Sequence, residues 1–216
     1  MILTSKGQEK DYAAELTQKL VNAYYTSYPL TYTFDMHQYD SSGKVFIESM
    51  KGEITASTKY YHMNYGNMEV IIADSFMLTR NSEVKEIILK LIRPSQRDSL
   101  LGLGINAIIE RMKSEKIVIK KLNTNDKTTV YELYFEYLDE GVSLMKLDNK
   151  TGYIQELDVK YYAGDDRFRI TPYTMKIYYS NYRPTKVSNP MKKYLKWSDN
   201  NMSLTDQYKE FKLIRF

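Results

Sequence analysis

Cysteine is absent from this chain of 216 residues. That excludes disulfides, thiolate metal sites, thiol nucleophiles and a cysteine-linked lipid anchor. Histidine is scarce: His37 and His62 are the only two. No stretch approaches the roughly 18 consecutive apolar residues of a membrane span. The opening "MILTSKGQEKD" lacks the apolar h-region of a signal peptide. Neither sign of charge dominates, since 31 basic and 27 acidic residues are well mixed and leave a net +4. The concentrated basic stripe of a nucleic-acid binder is missing, so no nucleic-acid partner is expected.

Tyrosine is abundant instead, at 21 residues against one Trp and seven Phe. It favours strands and suits surfaces that are half wet and half apolar. A single domain of this length buries roughly 70% of its unfolded surface and needs no covalent staples. The length fits one all-β or α+β domain, or two small ones.

Residues 8–27 place Tyr12, Leu16, Leu20 and Tyr24 every four positions, which predicts an amphipathic helix ended by Pro29. Alternation then predicts strands. Leu30, Tyr32, Phe34 and Met36 share one face of the first; Thr31, Thr33, Asp35 and His37 share the other. The hairpin signal "DSSGK" leads into "VFIESMKGEI", and short strands continue to Ile92. A second meander runs from "KIVIKKL" through "TTVYELYFEY", "VSLMKLD" and "YIQELDVKYY" to "RFRITPYTMKIYYSNY". Residues 184–206 are turn-rich, and "QYKEFKLIRF" is compatible with a last strand.

Between the meanders lies "SLLGLGINAIIERM" (99–112), the one long and nearly uncharged apolar stretch. Leu101, Ile105, Ile108 and Met112 recur at helical spacing, and Leu100 and Ile109 widen the stripe. Gly102 and Gly104 each weaken such a helix by roughly 1 kcal/mol relative to Ala. The sum is an α+β, mainly antiparallel protein. It has about eleven strands in one curved sheet, one face of which is covered by an N-terminal helix and a mid-chain helix.

Candidate chemistry is thin. His37 falls on a polar strand face, and neither histidine has a partner nearby in sequence, so both read as structural. Glu132, Glu136 and Asp158 are the material for a glycosidase-like pair, but their spacing reads as the wet face of a sheet. "GDDR" (164–167) lacks the alternating ligands of a calcium loop, and "LGLG" (101–104) lacks the rest of a phosphate loop. No catalytic residue, metal or cofactor is expected. The tyrosine pairs 24–25, 60–61, 161–162 and 178–179 do not form two-ring platforms in a strand, because adjacent residues face opposite sides. "MKKYLKW" (191–197) is a basic-aromatic patch suited to phosphates or lipid headgroups, or to plain solvent. The apolar strand faces read equally as a filled core or as a cavity wall, with methionine adaptable to variable guests.

Two runs carry a resemblance. One is "SGKVFIESMKGEITASTKYYHMNYGNMEVIIADSFMLTRNSEVKEIIL", with Gly43, Gly52, Tyr60-Tyr61, Val70–Ile72 and Asp74 at its turns and strands. The other is "YELYF…SLMKLDNKTGYIQELDV", with Thr151, Gly152 and Ile154 at its turn. Together they resemble the LolA-like periplasmic outer-membrane lipoprotein carriers, over about residues 8–182. The resemblance implies an incomplete β-barrel with a helical lid, in one domain over 1–216 whose residues 183–216 form a C-terminal extension. It implies non-catalytic binding of a lipid or lipoprotein acyl chain. The residues implied as cavity and lid are Leu16, Leu20, Tyr32, Phe34, Met36, Leu101, Ile105, Ile108, Met112, Leu133, Phe135, Met175 and Ile177. It further implies a monomer that does not span the membrane, is periplasmic after signal-peptide removal, and has envelope proteins as further partners. The alternative is the same scaffold with a collapsed cavity, used as a protein-interaction or sensor module.

Overall fold

The computed structural model describes residues 12–73, 75–93, 108–109, 112, 117–135, 140–161, 172–186, 190–198 and 201–216. Helix α1 spans Tyr12–Tyr25 and buries Leu16, Leu20, Ala23 and Tyr24, the stripe its four-residue spacing predicts. Its Tyr24 hydroxyl accepts a hydrogen bond from Ile154 N at 2.9 Å and lies 3.0 Å from the Tyr182 hydroxyl, which donates to Ile154 O at 2.6 Å. Burial raises the ionisation of Tyr24 and Tyr182 well above the ordinary tyrosine range, so both remain neutral donors and acceptors. This knot fixes the end of α1 to the sheet.

The first meander comprises β1 (Leu30–Asp40), β2 (Phe46–Ala56), β3 (Tyr60–Tyr65), β4 (Met68–Ala73), β5 (Phe76–Asn81) and β6 (Glu86–Leu91). The second comprises β7 (Ile117–Thr124), β8 (Thr128–Phe135), β9 (Glu140–Asp148), β10 (Ile154–Tyr161) and β11 (Tyr173–Pro184). Antiparallel pairing of β1 with β11, Phe34 opposite Tyr179, joins the two into one sheet. These are the strands expected from alternation. Two more arise in the stretch read as turn-rich, β12 (Leu195–Ser198) and β13 (Asn201–Leu204), and β14 (Lys212–Arg215) is the last strand with which "QYKEFKLIRF" was compatible. β12 and β13 form a separate ribbon, while β14 lies parallel to β6 and is the exception to antiparallel order. The large sheet runs β14-β6-β5-β4-β3-β2-β1-β11-β10-β9-β8-β7. It is open among the described residues, as expected of a half-barrel.

Both faces carry a core, where one was expected. On the inner face, Leu16, Leu20 and Tyr24 of α1 pack with Leu30, Tyr32, Tyr61, Ile72, Tyr131, Leu133, Met145 and Leu147. On the outer face, Ile71 and Ala73 of β4, Leu78 of β5, and Ile87 and Leu89 of β6 pack against Met191, Tyr194, Leu195 and Tyr208. The C-terminal extension is therefore a second layer that covers the β4–β6 end of the sheet. Strands buried on both faces read as continuous apolar runs, as "MEVIIA" does.

Most of the helical lid expected over 99–112 lies outside the described residues, so a lid is not supported, and the three residues that are described are α-helical. Of that stretch, Ile108, Ile109 and Met112 are described. Ile109 is fully buried and Met112 nearly so, in the same core as Leu16 and Leu20, and Ile108 is half-buried against it. Residues 8–11, at the start of the expected first helix, lie outside the described residues.

Candidate functional site

Strand register sets the inner face of the first meander out in rows. The first row is Leu30, Ala56, Tyr61 and Ile72, all buried. The second is Tyr32, Ile54, Met63 and Val70, of which the last two are half-buried. The third is Phe34, Gly52, Tyr65 and Met68, of which only Phe34 is buried. The last is Ile177, Met36 and Met50, all half-buried. Burial thus falls away from the α1 end, and the face becomes a half-buried apolar slope dominated by methionine. Gly52 is required on it. A Cβ there would lie 2.3 Å from Asn64 O and 2.7 Å from the Phe34 ring, which lies across the glycine.

The residues implied by the resemblance divide accordingly. Leu16, Leu20, Tyr32, Phe34, Met112 and Leu133 are buried core, and Met36, Ile108 and Ile177 are half-buried against that core. Met175 is half-buried beside Gln38 and Val159. Leu101, Ile105 and the Phe135 side chain lie outside the described residues. The slope adds Met50, Met63, Tyr65 and Met68, which sequence reading did not single out, and Val70, which it did not place in a cavity. Their signal was their parity with Tyr32 and Phe34 once the hairpin registers are fixed.

A second site lies on the outer face. Glu69 is 2% exposed. Its carboxylate lies 2.8 Å from His62 Nε2, 3.0 Å from Arg80 Nε and 3.8 Å from Lys193 Nζ, and accepts a short hydrogen bond from the Tyr194 hydroxyl. Burial pushes its ionisation up, but the hydrogen bonds of His62 and Tyr194 and the charge of Lys193 outweigh this and hold it at about 2. The same burial and the neighbouring carboxylate raise Tyr194. The cluster contains a carboxylate–histidine pair, but its polar groups are spent on one another and it joins the C-terminal layer to β3, β4 and β5. His62 has a carboxylate partner seven residues on, where the sequence reading saw none nearby, and is hydrogen-bonded within this cluster. His37 likewise bonds Asp35 at 2.8 Å.

The carboxylates considered for catalysis are not brought together. Glu132 faces Lys120 at 4.0 Å and Asp158 faces Lys176 at 3.7 Å, on polar strand positions with Leu144 between them in register. Glu136, "GDDR" and "LGLG" lie outside the described residues. Among the described residues, no group of three His, Asp or Glu is placed to hold a metal. No helix among them is long and apolar enough to cross a membrane. A cleft of about 330 Å³ lies between α1 and the β9–β10 turn. Its walls are polar and apolar in about equal measure, with Lys19, Asn22, Thr26, Asn149 and Thr151 around Ala23 and Leu147, and it is separate from the methionine slope.

No family model and no curated protein matches this chain. Among solved structures, the chain is similar to an uncharacterized conserved protein from Thermus thermophilus. The TM-score is 0.54 at 7% identity over 95% of this chain and 99% of that one, which shows a shared fold. The matches also include a LolA superfamily protein from Nitrosomonas europaea, with TM-score 0.39 and 8% identity over 83% and 96%. A putative outer membrane lipoprotein-sorting protein domain from Vibrio parahaemolyticus matches with TM-score 0.40 and 10% identity over 82% and 94%.

Proposed function

We propose that this protein binds an apolar ligand, an acyl chain of a lipid or lipoprotein, on the methionine-lined slope of its inner face, without covalent chemistry. The observation that carries the proposal is the burial gradient. The face is packed under α1 and only half-buried along Met63, Met68, Met36 and Met50. Methionine is unbranched and polarizable, so such a surface adapts to a flexible chain. Each methylene removed from water contributes about 0.8 kcal/mol, so about ten contribute about 8 kcal/mol against the cost of immobilising the chain. The sequence resemblance supports the same reading and an envelope location, periplasmic after removal of a signal peptide, with envelope proteins as donor or acceptor.

One observation favours the second reading, a filled scaffold that acts as an interaction or sensor module: Ile109 and Met112 are packed into the α1 core. Titration of the delipidated protein with N-phenyl-1-naphthylamine, followed by displacement with palmitate, separates the two. Saturable binding and displacement support the acyl-chain reading; absence of any probe binding by the folded protein supports the module.

A further inference from the structure

The mild basicity of this chain is unevenly placed. Residues 190–216 hold six basic and three acidic residues, a net +3 out of the +4 of the whole chain. This is the layer on the outer face. Within it Lys196 pairs with Asp206 at 2.9 Å, and across its boundary Lys85 pairs with Glu210 at 3.4 Å and Lys212 with Glu86 at 3.6 Å. Lys192 and Lys209 are exposed and have no ion pair among the described residues, so they belong to the uncompensated part of the charge.

An apolar ledge adjoins this layer. β12 sends Leu195 into the outer core and, two residues on, carries Trp197 past the edge of that core. The Trp197 ring lies 5.8 Å from the Phe76 ring and is 61% exposed. Leu91 stands opposite Phe76 in the β5–β6 register and is 62% exposed. We infer that this outer layer is a docking surface for an anionic lipid bilayer, with Lys192 and Lys209 toward the headgroups and Trp197 and Leu91 at the boundary with the acyl chains. Exposed lysines and an amphipathic indole carried by one layer are the composition that such an interface selects. A polyanion such as a nucleic acid would also meet the lysines and stack on the indole, but an aliphatic leucine beside the indole offers nothing to a base and suits acyl chains. The surface lies on the opposite side of the sheet from the methionine slope, so docking leaves that slope uncovered.

Trp197 is the one tryptophan of the chain and therefore reports directly on this surface. The intact protein is titrated with vesicles of phosphatidylcholine and phosphatidylglycerol at 3:1 in low salt. The indole emission shifts to the blue, acyl-brominated lipids quench it, and phosphatidylcholine alone does neither. Replacing both Lys192 and Lys209 with Ala weakens partition about 25-fold, from about 1 kcal/mol per lysine. Leu91→Ser weakens it while the far-UV circular dichroism is unchanged. The inference is overturned if anionic vesicles leave the emission unmoved. It is also overturned if heparin or a single-stranded oligonucleotide shifts the emission and vesicles do not, which marks a polyanion site.

Discussion

Replacing Glu69 with Gln tests the attachment of the C-terminal layer. The carboxylate is 2% exposed and stands among His62, Arg80, Lys193 and Tyr194. Its ionisation falls from the ordinary 4.5 to about 2. That difference corresponds to about 3 kcal/mol of stability. The folded state holds the proton less tightly than the unfolded one. The contribution is therefore complete above about pH 4.5 and is lost as pH falls towards 2. Glutamine keeps the shape but leaves the cations without their counter-charge, and breaking a buried pair in this way costs about 3–5 kcal/mol. Urea unfolding of wild type and Glu69→Gln is followed at pH 7 and at steps from pH 5 to 2.5. At pH 7 the variant unfolds at a clearly lower urea concentration. The gap between the two proteins closes by most of about 3 kcal/mol towards pH 2.5, because the wild type loses what the variant never had. A variant within about 0.5 kcal/mol of wild type at pH 7 refutes the reasoning, as does a gap that does not change with pH.

Further outcomes follow from packing. Gly52→Ala places a methyl group against the Asn64 carbonyl and the Phe34 ring, and thermal unfolding reports a loss of about 1–3 kcal/mol. Ile109→Ala opens a void in a fully buried site and costs about 2–5 kcal/mol by urea midpoint. Ile108→Ala, at a half-buried position, costs about 1 kcal/mol; equal losses at the two positions would contradict the assignment of Ile109 to the core.

Much of the sheet was legible in the sequence. Period-two alternation marked β1–β11, and the four-residue spacing of Leu16, Leu20 and Tyr24 marked α1. β12 and β13 were not legible, and β14 only faintly so, because four residues are too few for alternation to register. The second core was half legible. "MEVIIA" is apolar almost without a break, the mark of a strand buried on both faces, but its cover lies more than a hundred residues away. Glu69 and His62 could be paired from the Gly66-Asn67 turn, which sets His62 opposite Ile71 and next to Glu69 on the same face. The arrival of Tyr194 and Lys193 is a long-range event with no local signal. On the inner face, alternation found Tyr32, Phe34, Met36 and Ile177. Met50, Met63 and Met68 needed the register of three hairpins.

The central claim, that the methionine slope receives an acyl chain, is tested most directly by nuclear magnetic resonance of methyl-¹³C-methionine protein titrated with palmitate. The account predicts saturable shifts at Met36, Met50, Met63 and Met68, and none at Met191 and Met202, which pack in the outer core. Methyl signals that stay in place on the slope, in a folded and delipidated protein, would contradict it.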